Sequence, residues 1–111
     1  MKIIQTSTED KKIIYQMTQG AGIKRISDAV GKEITVRAYV LYDDQKQDGS
    51  VVRVLSIMDE EDGSIYATNS GTVQQSFADI DEINEGIVGE VVEVCSGIAK
   101  SGRTYYDLCW K

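Results

Sequence analysis

The stretch DGSIYATNSGTVQQSF, residues 62–77, decides the fold. Asp62-Gly63 makes a turn, Ile65 to Thr68 reads as a short strand, and a helix starts near Thr72. Thr72 with Gln75 fits a capping box, in which each side chain satisfies the other's unpaired amide. Val73, Phe77 and Ile80 then recur at helical spacing as one apolar stripe. This predicts a helix over about 72–84, stopped at Gly86, that buries its stripe against strands on either side.

Upstream, Glu33 to Asp43 alternates with the period of a strand. Ile34, Val36, Ala38, Val40 and Tyr42 make the face read as buried, and Thr35, Arg37, Tyr39 and Leu41 the face read as outward. After the polar loop DDQKQDGS comes a second strand, Val51 to Met58, too uniformly apolar for its inward parity to be read. DEEDG turns the chain into the third strand, Ser64 to Thr68, with Ile65 and Ala67 read as inward and Tyr66 as outward. Downstream, Ile87 to Ile98 and Arg103 to Trp110 form a hairpin through Lys100-Ser101-Gly102. Symmetric closure puts Val94, Ile98, Tyr106, Leu108 and Trp110 on the core side, and Cys95, Tyr105, Asp107 and Cys109 outward. At the N-terminal end, residues 7–18 read as a helix capped by Ser7 or Thr8, with Ile13, Ile14 and Met17 on one side. It either packs on the strands or mediates self-association. A short turn at 24–30, stopped by Gly31, precedes the first strand.

The order β-β-β-α-β-β, with the helix between strands three and four, is that of a five-stranded oligonucleotide-binding (OB) barrel. The expected fold is therefore all-β with one or two helices, within one domain of 111 residues: a helical segment at 7–30 and the barrel at 31–111. No run of 18 apolar residues is present, and MKIIQTSTEDKK offers no apolar signal-peptide core, so no membrane association is expected and the location is expected to be cytoplasmic. Two cysteines make no secreted disulfide framework; Cys95 and Cys109 are read as cross-strand neighbours that stay free thiols in a reducing cytosol.

The net charge of −6 argues at first against a nucleic-acid partner, but its distribution is uneven. Between Arg53 and Lys100 there is no lysine or arginine, while ten acids fall there: Asp59, Glu60, Glu61, Asp62, Asp79, Asp81, Glu82, Glu85, Glu90 and Glu93. The bases cluster before and after, at Lys24, Arg25, Lys32, Arg37, Lys46 and Arg53, then Lys100, Arg103 and Lys111. An OB barrel binds across strands two and three with the flanking loops. Single strands need cations for the backbone and aromatic faces for the bases, each stack contributing about 1–3 kcal/mol. Arg37 and Tyr39 on the first strand, Arg53 on the second, Tyr66 on the third, and Lys100, Arg103 and Tyr105 on the last hairpin form the expected binding set. Strand tyrosines also serve as packing partners, which is the plainer account of each.

ISDAVGKEITVRAYVLY (26–42), VLSIMDEEDGSIYATNSGTVQQSFADIDE (54–82) and GRTYYDL (102–108) resemble the small single-stranded-DNA-binding proteins encoded by bacteriophages of Gram-positive hosts. The resemblance covers roughly residues 24–110, with 62–80 its most specific part. It implies an OB fold, a bacterial host cell, and sequence-independent coating of single strands during replication or recombination, with self-association and replication proteins as further partners. It does not assign binding residues. Bacterial single-strand binders in general end in an acidic partner-recruiting tail; here the sequence runs to Cys109-Trp110-Lys111, so recruitment through such a tail is not expected.

Catalysis is not expected. Without any histidine there is no Ser-His or Cys-His nucleophile and no histidine metal ligand. Asp44-x-Lys46-x-Asp48-Gly49 has the outline of a calcium loop, but lysine stands at a ligand position and Leu55 where the bidentate glutamate belongs. DEED at 59–62 reads as a solvated turn, and GAG at 20–22 lacks the rest of a dinucleotide fingerprint. Neither metal nor cofactor is expected. The competing reading is a protein-interaction OB module of a phage or replication complex, which the acidic balance favours.

Overall fold

A single strand of thirteen residues, β3 (Glu33–Gln45), organises the molecule. The computed structural model describes residues 1–111. In chain order the other strands are β1 (Lys2–Thr6), β2 (Lys24–Arg25), β4 (Val51–Asp59), β5 (Ile65–Thr68), β6 (Val91–Ile98) and β7 (Thr104–Trp110). The helices are α1 (Lys11–Gln19) and α2 (Gly71–Ile83), with one 3-10 turn at Ile26–Ala29. Hydrogen bonding links β2-β5-β4-β3-β6-β7 in that order, and β1 adds to β3. Along one edge β3 pairs antiparallel with β4; along the other, Glu33–Thr35 pairs with β6 and Val40–Asp43 with β1. The chain is thus mostly β with two helices, and its sheet curls into a half-barrel. Five strands in the order β-β-β-α-β-β are expected; seven are found, in the order β-α-β-β-β-β-α-β-β, with β1 ahead of the segment read as helical and β2 within it.

The decisive irregularity is a bulge. The register of β3 against β4 shifts between Val36 and Ala38, so Arg37 is an extra residue and the alternation inverts beyond it. Ile34 and Val36 face the main core, but past the bulge Tyr39 and Leu41 take over that side. Ala38, Val40 and Tyr42 turn to the opposite side, where α1 covers them with Met17. Tyr39 is therefore buried, not outward. Its ring meets Phe77 of α2 edge-on at 5.0 Å, and its hydroxyl accepts from Gln5 Nε2 at 2.8 Å. Tyr66 is also buried and not outward, although β5 carries no bulge. On β5 it sits opposite Ile57 in the main core, while Ile65 points to the α1 side.

The α1 helix starts later than expected because Asp10 caps it, accepting from the N–H groups of Lys12 and Ile13. Ser7 serves the sheet instead: its N–H donates to the Tyr39 carbonyl at 3.1 Å and its Oγ accepts the Tyr39 N–H at 2.8 Å. At α2 the cap is Ser70, whose Oγ accepts the Val73 N–H at 3.3 Å, and Gln75 reaches forward to Asp79, so the capping box does not form. Val73, Phe77 and Ile80 are buried, as their spacing predicts.

The hairpin has the expected pairing, with Cys95 opposite Asp107 and Val94 opposite Leu108. Only its middle is covered. Val92, Val94 and Leu108 join the core and Tyr106 packs at its margin, whereas Ile98 is 77% exposed and Trp110 42%. Pairing fixes the face of a residue but not what lies over it, and the hairpin overhangs the core at both ends. Trp110 is therefore a surface residue whose indole N–H donates to Glu90 Oε1 at 3.0 Å. No hydrogen-bonded ladder joins β5 to β7. There α2 lies against β7, and Ser76 Oγ donates to Asp107 Oδ1 at 2.5 Å. Asp107 also accepts the Leu108 N–H, so its carboxylate is tied to structure and not free in solvent. No helix is long and apolar enough to cross a membrane.

Candidate nucleic-acid interface

Because α1 covers only one end of the outer face of β3-β4-β5, the other end stays open. There Val52 and Val54 of β4 and Ala67 of β5 line a groove of about 440 Å³ that continues round the end of β5 to Thr68 and to Tyr106 of β7, both on the core side. Arg25 on β2 and Lys46 in the β3–β4 loop flank it, with Asp44 the one acid among its lining residues. Tyr106 reaches this groove because β5 and β7 do not pair, which leaves its ring at the margin of the core. The groove thus offers apolar walls, an aromatic ring and two cations.

The seven residues expected to bind do not form one surface. Tyr39 and Tyr66 are core residues. Arg37 is exposed at the bulge, nine residues along β3 from Lys46, roughly 30 Å at strand rise. Arg53 lies on the Leu55 side of β4, away from Val52 and Val54, and Asp43 holds its guanidinium through two bonds of 2.9 and 3.1 Å. That pairing draws the Asp43 carboxyl below the usual range and raises Arg53. Arg53 instead rims a second cleft of about 400 Å³ between α2 and the sheet, over Tyr39 and Phe77. Lys100, Arg103 and Tyr105 stay together and exposed at the tip of the β6–β7 hairpin.

Tyr105 is held open by a glycine. It pairs with Gly97 across the hairpin, and a Cβ built on Gly97 would lie 2.5 Å from Cζ of the tyrosine ring. The hydroxyl end of the ring therefore rests against bare backbone, and 48% of the residue remains exposed. Tyr66 shows the opposite use of a tyrosine. Its hydroxyl accepts from Lys32 Nζ at 2.8 Å, and the ammonium sits 5.1 Å from the ring centroid. Lys32 also pairs with Asp59 at 3.2 Å and Asp62 at 3.1 Å. Its bond to Tyr66, helped by the two carboxylates, raises the Lys32 pKa despite some desolvation. The Ser64 backbone N–H, then Lys32, draw Asp62 down to about 2. This cluster fastens the β4–β5 turn to the start of β3 and takes Lys32 out of the pool of free cations.

Three residues of the groove escaped the sequence reading. Arg25 and Lys46 were visible only as members of a basic cluster, with nothing to separate them from Arg37. Tyr106 has the parity of a core residue, and only the missing β5–β7 ladder brings it to a surface. Compared with family models, curated proteins and solved structures, the chain matches none.

Proposed function

We propose that this chain is an opened OB barrel that binds single-stranded DNA without sequence preference. The supporting order is β3-β4-β5-α2-β6-β7, the β-β-β-α-β-β succession of that fold, to which β1 and β2 are additions. The observation that carries the reading is the groove that runs from the outer face of β4 and β5 to the margin of the core, where Arg25 and Lys46 flank apolar walls and the Tyr106 ring. Phosphates would lie against the two cations and bases against Tyr106 and, at the hairpin tip, Tyr105 beside Lys100 and Arg103. In this reading the protein is a binder and not an enzyme, and the resemblance to phage single-strand binders supports a role in replication or recombination in a bacterial host. Competition separates this reading from general polyanion binding: unlabelled oligo-dT should displace a labelled oligo-dT at far lower concentration than duplex DNA, whose stacked bases cannot reach the tyrosines. Equal displacement by the two would contradict it.

The second reading is a protein-interaction module, favoured by the net charge of −6 and by Asp44 in the groove. It predicts that no single-stranded oligonucleotide binds at low salt.

A further inference from the structure

We infer that Cys95 and Cys109 form a modification site, a thiol pair that a hydroperoxide converts into an intramolecular disulfide across the last hairpin. Cys95 of β6 stands opposite Asp107, and Cys109 of β7 stands opposite Glu93, so the two cysteines are diagonal neighbours on one side of the ladder. Such a diagonal spans about 7–8 Å between backbones in a regular ladder, just past the roughly 7 Å that a disulfide bridges without backbone movement, so the two strands must draw together slightly as the bond forms. Here the sulfurs are 2.8 Å apart, so less than about 1 Å of approach separates them from a bonded S–S distance of about 2.05 Å. Access is open as well, since Cys109 is exposed and Cys95 partly so.

The oxidation balances with peroxide as the only co-reactant. The Cys109 sulfur attacks one peroxide oxygen, the O–O bond breaks, and a sulfenic acid and one water result. The Cys95 sulfur then displaces the sulfenic hydroxyl, its own proton leaves with that hydroxyl as a second water, and the S–S bond forms. Two thiols have lost two electrons and two protons, and one peroxide has become two waters. Cys109, the more exposed partner, meets the oxidant. Cys95, the less exposed partner, resolves the intermediate; the Cys109 sulfur beside it and its own burial push its thiol up to about 11. A disulfide at such an exposed position is readily reduced by a thiol, so the modification is reversible. It would tether the strands two residues from Gly97, on which the Tyr105 ring rests. The inference stands on the thiol geometry alone and does not require DNA binding.

The test is to treat the full chain with hydrogen peroxide and alkylate it with iodoacetamide under denaturing conditions. The expected result is loss of both alkylation sites, loss of two hydrogens in mass, a Cys95–Cys109 linked peptide, no covalent dimer, and recovery with dithiothreitol. In Cys95→Ser the sulfenic acid at Cys109 should persist long enough to be trapped by dimedone, whereas in Cys109→Ser the remaining thiol should react markedly more slowly. Covalent dimers of the parent chain, or sulfinic acid at Cys109 with Cys95 still alkylatable, would overturn the inference.

Discussion

Tyr105 and Tyr106 are chain neighbours that strand alternation sends to opposite sides of the hairpin, one onto Gly97 and one into the groove. Each should contribute a stack. Tyr106→Ala is expected to weaken oligo-dT binding by about 1–3 kcal/mol and Tyr105→Ala by a similar or smaller amount, with little loss of stability for the latter. Gly97→Ala is the sharper variant: the added methyl collides with the end of the Tyr105 ring, which can swing away, so binding should fall while the thermal midpoint hardly moves. Tyr39→Ala should behave oppositely and cost about 3–5 kcal/mol of stability, as for a large core aromatic. Equal binding by Tyr105→Ala, Tyr106→Ala and the parent would remove both rings from the interface. Asp62 makes a separate prediction. Its folded pKa of about 2 lies below its ordinary 3.8, so its stabilisation is complete above about pH 4 and is lost as pH falls toward 2. Urea unfolding across that window should therefore show a shallower acid loss in Asp62→Asn than in the parent, and an unchanged slope would mean that the Lys32 and Ser64 contacts do not form in solution.

At the scale of elements, α1 converts one half of a two-faced strand into core. Met17 is fully buried against Ala38, Val40, Tyr42 and Met58, and burying such a side chain is worth about 1.5–3 kcal/mol. Met17→Ala should destabilise the chain by about 2–5 kcal/mol, measured by denaturant unfolding; a loss below about 0.5 kcal/mol would show that the helix is not docked. The same element explains what could and could not be read in advance. The α2 stripe was legible because Val73, Phe77 and Ile80 leave one helical signature, and the hairpin because turn and alternation agree. The bulge at Arg37 was not, since residues on both sides of β3 are apolar beyond it and a strand buried on both faces keeps no parity signal. Tyr39 was misread for that reason. Strand β1 was invisible for the reverse reason: Lys2 to Gln5 are all exposed, so no alternation marks them.

At the scale of the whole molecule, the proposed binding of a polyanion by an acidic protein requires a local concentration of bases. The sequence shows the asymmetry, ten acids between Arg53 and Lys100 with no base among them, but only the fold says which bases gather. Arg25 and Lys46 meet at the groove, Lys100 and Arg103 at the hairpin tip, while Lys32 and Arg53 are spent on carboxylates. The most direct measurement is the affinity for oligo-dT as a function of salt, followed by anisotropy of a labelled strand. Each neutralised phosphate on a single strand contributes a log-log slope of about −0.7, so three to five contacts predict a slope of roughly −2 to −4, reduced by about one contact in Lys46→Ala. Absence of binding at low salt, or tight binding with a slope near zero, would contradict the account.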